Sequence, residues 1–435
     1  MRGYDARRGR LLWSWDPIPQ DPNDPAYDEW QGEAAHRGGG ANAWSGLVAD
    51  AERDLVFVPT GSAAPDYYGG LRIGANRYAN SLVALRASTG KLVWAFQTVH
   101  HDLWDYDNAS PPALVTLTLS GREVPAVVLA TKTGMLFVLN RETGEPLFPV
   151  EERAVPASNL TDEVASPTQP FTAVTPSLSP HRFTVDDVWG LDEADRAACR
   201  AAIAPLRNEG IFTPPSVQGT LVIPSNIGGA HWGGVAIDPE RALAIVPVNR
   251  LAAVVELLPR EGFDMQEAHR NEPPLGDDYE YNMMRGTPYV LRRRLLLAPS
   301  RLPCTPPPFG ALVAIDLASG ERKWEVPLGS LETLVAADVA ARVPPEWGSP
   351  NLGGPIVTAG GVVFIGAALD RRLHAYDVET GKELWHGDLP ASAKATPMSY
   401  QLRSGRQYVA VTVGGGDAWG AGDYVIAFRL PQAAR

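Results

Sequence analysis

The stretch that decides the fold is Gly310-Ala-Leu-Val-Ala-Ile-Asp316, followed after a short turn by Gly320-Glu-Arg-Lys-Trp324. Its first half alternates apolar positions with period two, as a half-buried strand does. The Ser-Gly turn supplies the positive φ of a tight hairpin, and the second half ends in a large aromatic. The same spelling recurs as Gly9-Arg-Leu-Leu-Trp13, Gly90-Lys-Leu-Val-Trp94, Gly144-Glu-Pro-Leu-Phe148 and Gly381-Lys-Glu-Leu-Trp385. The strands ahead of it also agree, in Ser81-Leu-Val-Ala-Leu-Arg86 and Arg372-Leu-His-Ala-Tyr-Asp377. A degenerate copy, Gly234-Val-Ala-Ile-Asp238, lies in the long gap. Strand–turn–strand units that cannot bury their faces alone must stack on one another, so the pattern predicts an all-β propeller of about six sheets.

Two regions interrupt the repeat. Residues 191–207 carry Ala, Arg and Leu at helical density after Asp192, which predicts a short helix on a loop near 150–210. Residues 255–308 are charged and Pro-rich, and are expected to form a long inter-strand excursion within one domain spanning 1–435. The cluster Arg292-Arg-Arg294 inside it reads as a solvated face.

Bulk properties narrow the function. A length of 435 residues is compatible with one large β unit. A net charge of −12 without a basic run argues against a nucleic-acid surface. The two cysteines, Cys199 and Cys304, suit neither a zinc site nor a CxxC redox pair, and leave one disulfide or two separate thiols open. The first residues have no apolar core of signal-peptide length, and no stretch reaches the ~18–20 apolar residues of a spanning helix. GxGxxG, P-loop, GxSxG and HExxH patterns are absent from the sequence.

Four places could carry chemistry. His100-His-Asp-Leu-Trp-Asp105-Tyr-Asp107 sets three carboxylates, two imidazoles and an indole on one loop. A carboxylate beside apolar walls gains proton affinity and can serve as a general base, whereas the plain reading is a polar loop with Asx turns. Lys132, in Thr131-Lys-Thr-Gly134, sits at a hairpin tip, where a lysine is ordinarily solvated. Trp44 precedes a strand and could be core or a stacking platform, and Asn226 lies in a glycine-rich turn where backbone could approach a ligand. His100, His101 and Asp102 are a weak metal pattern.

The chain closely resembles the pyrroloquinoline-quinone-dependent dehydrogenases, above all the membrane-bound glucose dehydrogenase branch and its quinate-oxidising relatives. The resemblance is carried by Gln97-Thr-Val-His-His-Asp-Leu-Trp-Asp105, Ile211-Phe-Thr-Pro-Pro-Ser216, Leu352-Gly-Gly-Pro355, Lys394-Ala-Thr-Pro-Met398 and Gly422-Asp-Tyr-Val-Ile-Ala427. Trp44-Ser-Gly-Leu-Val-Ala-Asp50 adds to it, with Ala49 where a Tyr is usual. It implies a quinoprotein-type propeller with about six of eight blades present and the N-terminal blades missing. It implies that Asp105 takes a hydroxyl proton, that Lys132 hydrogen-bonds the quinone oxygens, and that Trp44 and Asn226 contact the cofactor. It also implies pyrroloquinoline quinone with Ca²⁺ or Mg²⁺, a sugar, polyol or hydroxy-acid substrate, ubiquinone as acceptor and a periplasmic, membrane-associated setting. The metal ligands are unknown. The branch has a His after two glycines near the C-terminus, where this chain reads Gly414-Gly-Gly-Asp417, which puts glucose itself in question. The rival readings are a propeller scaffold without cofactor and an inactive fragment.

Overall fold

A computed structural model describes residues 1–32, 35–272, 279–332, 335–415 and 421–430. Among these, five antiparallel sheets stack face to face. The first pairs Val48–Asp50, Leu55–Pro59, Ser81–Arg86 and Leu92–Gln97. The second pairs Ala113–Leu119, Arg122–Ala130 and Leu136–Asn140. The third joins Ala236–Asp238 and Leu243–Asn249 to Gly310–Asp316 and Arg322–Pro327. The fourth runs from Pro355–Val357 to Glu383–Asp388, and the last holds Met398–Gln401, Gln407–Gly415 and Gly422–Phe428. Arg2–Tyr4 and Leu11–Ser14 form a two-stranded ribbon against the first sheet, with Trp13 and Trp15 on Val58, Val83 and Leu85.

Each interface between neighbouring sheets is a separate apolar layer. Val127, Leu129, Phe137 and Leu139 of the second sheet meet Phe57, Leu82 and Trp94 of the first. On the other side, Val128, Ala130 and Val138 meet Val246, Val313 and Ile315 of the third. The alternation read from the sequence is thus buried on both faces.

The Gly-x-x-x-aromatic spelling has a single physical cause. Four of the five closing aromatics reach the glycine turn of the next unit, and the fifth, Trp385, packs on Phe428 of the last sheet instead. A Cβ on Gly90 would lie 2.5 Å from the Trp13 ring, one on Gly144 2.6 Å from Trp94, and one on Gly381 2.6 Å from Trp324. Phe148 lies over Gly320 in the same way, at 3.3 Å. The indoles of Trp13, Trp94 and Trp324 each donate to a turn carbonyl at 2.9 Å, those of Ala87, Arg141 and Val378. Glycine is required twice over, for a positive φ and for the space the indole fills.

Two expectations change. The degenerate copy at 234–238 is no blade of its own, since Ala236–Asp238 and Leu243–Asn249 complete the sheet closed by Trp324. The segment 255–308 is more than an excursion. It supplies Tyr289–Leu295 and Glu280–Asn282, which pair with Ala253–Pro259 and Thr220–Val222 in an extra four-stranded sheet. Its charges are cross-strand partners, such as Glu256 opposite Arg292 and Glu280 opposite Arg293, so polarity did not mark it as a loop.

The 193–203 helix forms as expected, with Asp192 capping the Asp195 amide. Its inner face carries Cys199, which is bonded to Cys304 and packs with Leu221, Ile223, Val254 and Leu296. No helix among the described residues is long and apolar enough to cross a membrane. Gly416 and Asp417, part of the glycine run noted above, lie outside the described residues.

Candidate active site

The loop after Leu92–Gln97 is fixed from below. Asp102 is buried and accepts from the Trp104 amide at 3.0 Å, the Tyr106 amide at 2.9 Å, Asn80 at 3.1 Å and the Ser62 hydroxyl. Trp104 and Tyr106 are buried and donate to the carbonyls of Thr213, at 2.7 Å, and Pro224, at 2.6 Å. His101 pairs with Glu163 at 2.8 Å, and His100 with Gln97 at 2.8 Å and Glu152 at 3.0 Å. The imidazoles and Asp102 are therefore scaffold, and the metal pattern suggested by their adjacency is not formed.

What this scaffold presents is Asp105, at φ 60°, a left-handed conformation that aspartate tolerates better than most side chains. Lys132 Nζ donates to the Asp105 carbonyl at 2.7 Å, to Asp105 Oδ1 at 3.0 Å and to Asp107 Oδ2 at 2.7 Å. Asp107 Oδ1 accepts from the Ser62 amide at 2.7 Å.

Lys132 is not a solvated tip. It is 5 % exposed, because residues 225–230 wrap the hairpin, with the Gly229 amide on the Lys132 carbonyl at 2.7 Å. Any Cβ at Gly228 would lie 2.6 Å from Lys132 Cγ, so the wrap needs glycine there. Asn226 is half-buried on this loop, but its side chain joins none of the hydrogen bonds that tie Lys132, Asp105 and Asp107.

One ammonium serving two carboxylates separates their proton affinities. Burial raises Asp105 well above the ordinary carboxylate range; Lys132 opposes this, while the Asp107 charge adds to it. Burial pushes Asp107 upward too, but Lys132 and the Ser62 amide outweigh it and bring it down to about 2. Burial alone would lower Lys132, and the two carboxylates reverse this and hold it above the usual lysine value. A buried acid of raised affinity beside a permanently ionised one is the arrangement a general base requires.

Trp44 is 46 % exposed beside this group, with Lys132 Nζ 5.9 Å from its ring centroid. Trp232, 40 % exposed, stands 6.3 Å away centroid to centroid, and the two indoles with Ser45 and Gly46 line an open cavity of about 460 Å³. Two exposed indoles side by side make an apolar patch of the kind that marks a binding surface. Sequence reasoning named Trp44 but passed over Trp232, although it follows Asn226 by only six positions. It also passed over Asp107 as a partner of Lys132, and over Arg293, whose Nη1 lies 3.3 Å from Asp105 Oδ2.

The molecule is thus a propeller whose loops hold a buried Asp–Lys–Asp group beside an open pair of indoles. A family model described as "PQQ: Glucose/ethanol/alcohol dehydrogenase, beta-propeller domain" matches residues 1–409, and the chain belongs to that family. It is 40% identical to the quinoprotein glucose dehydrogenase of Escherichia coli (strain K12), over 99% of this chain and 54% of that protein. It is 36% identical to the quinate/shikimate dehydrogenase (quinone) of Acinetobacter baylyi, over 99% of this chain and 53% of that one. The chain spans about half the length of these relatives. The fold is shared with the quinohemoprotein alcohol dehydrogenase of Comamonas testosteroni, with a TM-score of 0.65 at 23% identity, covering 100% of this chain and 57% of that structure.

Proposed function

We propose that this chain carries the proton-accepting and cofactor-facing part of a pyrroloquinoline-quinone-dependent dehydrogenase that oxidises an alcohol carbon of a sugar, polyol or cyclic hydroxy acid. The observation that carries this reading is Lys132 buried between Asp105 and Asp107 at the edge of the Trp44–Trp232 cavity. The exposed indole faces suit a planar aromatic group, which Trp44 would hold by stacking, Lys132 by the charge of an ammonium whose three protons go to Asp105 and Asp107, and Asn226 by its amide. When bound, the quinone supplies the two-electron acceptor.

The remaining work falls to the protein. Asp105 receives the substrate hydroxyl proton on its carboxylate as the carbon gives up hydride. Lys132 orients that carboxylate and offers positive charge where negative charge develops on an oxygen. Asp107 stays ionised throughout and keeps Lys132 protonated. Because Asp105 must be ionised to accept a proton, turnover rises as pH climbs through its raised pKa.

Acidic and imidazole side chains among the described residues form no ready ligand set for Ca²⁺ or Mg²⁺. The described residues contain no group of three or more His, Cys, Asp or Glu side chains able to hold a metal ion, and Lys132 occupies the space between the two nearest carboxylates. A quinone as electron sink is supported by the relative whose name specifies one, and ubiquinone in a periplasmic, membrane-associated setting is the form the resemblance suggests. In the same reading residues 1–435 belong to one domain.

The test is a titration of the purified chain with pyrroloquinoline quinone, followed by tryptophan quenching and then by dye reduction with aldoses, polyols and quinate. Saturable quenching that Trp44→Ala weakens, with turnover that Asp105→Asn abolishes, supports the reading. A folded chain with no quenching overturns it in favour of a scaffold or an inactive fragment.

A further inference from the structure

The three arginines 292–294 part company in the fold. Strand alternation along Tyr289–Leu295 sends Arg292 and Arg294 to one face, where Arg292 pairs with Glu256 and both guanidiniums lie over the Tyr279 ring. Arg293 goes with Leu291 to the other face, toward the core that holds Val255, Tyr67, Trp104 and Tyr106. There Nη1 donates to the Tyr67 hydroxyl at 2.8 Å and stands 3.3 Å from Asp105 Oδ2, while Nε donates to Glu280 at 2.8 Å.

We propose that Arg293 is a positioning residue for Asp105: it holds the Oδ2 edge of the carboxylate while Lys132 holds Oδ1, so that the side chain is kept in one orientation with a cation on each oxygen. The inference rests on the reading of Asp105 as the base for its meaning in catalysis, but its geometry stands without it.

The groups that face Asp105 are Lys132, Asp107, Asp66, Tyr67 and Arg293. Two are carboxylates that disfavour its ionised form. Lys132 is shared with Asp107, at the shorter of its two distances, so its hold on Asp105 is partial. Arg293 is the second cation, brought from another sheet more than 180 residues along the chain. It is not freely mobile, since Tyr67 is 1 % exposed and fixes the guanidinium on the side away from solvent. Arginine suits this place because it cannot lose its proton and can serve three partners at once. An opposite charge within ~4–6 Å lowers a carboxyl pKa by about 1–3 units. With the Arg293 side chain 24 % exposed and Glu280 drawing on the same guanidinium, the lower end, about one unit, is expected.

The test needs no cofactor. The chain is labelled with ¹³C at the aspartate carboxyl carbons, and the Asp105 resonance is assigned by its loss in Asp105→Asn. Its titration midpoint is then followed in the unmodified chain, in Arg293→Gln and in Arg293→Lys, with circular dichroism to confirm folding. The expected result is a midpoint raised by about one unit in Arg293→Gln and largely restored in Arg293→Lys. A purely structural role would leave the midpoint where it is, and an unchanged midpoint in folded Arg293→Gln overturns the proposal. Glu280→Gln changes an exposed side chain and serves if Arg293→Gln fails to fold. It frees Arg293 for Asp105 and lowers the midpoint, and a midpoint that stays or rises overturns the proposal. Dye reduction on the cofactor-loaded chain then separates the two readings: a shifted midpoint with no cofactor binding keeps Arg293 and removes the enzyme, whereas an acid limb of kcat/KM that moves with the midpoint ties them together.

Discussion

Replacing Lys132 by Met removes the ammonium between Asp105 and Asp107 with little change in volume. Lys132 is 5 % exposed, and the side chains of Asp105 and Asp107 are 18 % and 12 % exposed, so water cannot take over the lost role. Breaking a buried ion pair from one side costs about 3–5 kcal/mol, because a charge is left without compensation. The cost depends on pH in a defined direction. In the intact chain Asp107 has a depressed folded pKa of about 2, so the stability it contributes is present above its unfolded value near 4 and is lost only as pH falls through about 2. In Lys132→Met burial acts on Asp107 against the Ser62 amide and the Asp105 hydrogen bond alone, without the ammonium that was the largest opposing influence, and its folded pKa rises. The variant then gains up to about 1.4 kcal/mol per pH unit as the pH falls below that raised value, until the unfolded carboxylate titrates as well. Urea unfolding of both proteins at about pH 7.5 and about pH 5 measures this, and the expected loss at the higher pH is clearly the larger. A loss equal at both pH values, or no loss at either, would refute the claim that Lys132 is a buried counter-ion and return it to a solvated hairpin tip.

Other consequences can be checked on the same preparations. Gly144→Ala sets a methyl 2.6 Å from the Trp94 ring at φ 76°, and should lower stability by about 1–3 kcal/mol in thermal melts, whereas Gly121→Ala, at the similar φ of 76° with no atom within 4 Å, should cost clearly less. Reduction of Cys199–Cys304, which links positions 105 residues apart, should cost up to about 4–5 kcal/mol, read as a fall in melting temperature with added thiol and reproduced by Cys304→Ser. His374 is buried between Asp370 and Glu383, which overcome the effect of burial and raise it to about 9. Its stabilisation is complete below the unfolded value near 6.5 and lost as pH rises through about 9, so His374→Gln should flatten the stability profile between about pH 6 and 9.

How far a residue could be read in advance depended on how local its partners are. Asp105 and Lys132 were legible as candidates, but their spacing permitted a plain loop and a solvated tip equally well. The wrap of residues 225–230 that buries Lys132 comes from almost a hundred positions downstream and leaves no mark near the lysine itself. In sequence Arg293 looks, with its neighbours, like a solvated face, because three like charges in a row look uniform. Period-two alternation through Leu291 and Leu295, both apolar, would have assigned it to the core side had 289–295 been recognised as a strand.

By itself the sequence determined the stacked-sheet architecture. Its repeat encodes a contact between adjacent units, an aromatic on the next glycine turn, and that contact recurs at four joints, so its spelling recurs in the sequence. The tertiary structure decided which strands share a sheet when about sixty residues intervene, as between Leu243–Asn249 and Gly310–Asp316. It also decided which charges meet at Asp105. Those contacts occur once, between parts of the chain that only the packing of the sheets brings together, and burial converts ordinary polar side chains into a coupled ionic site.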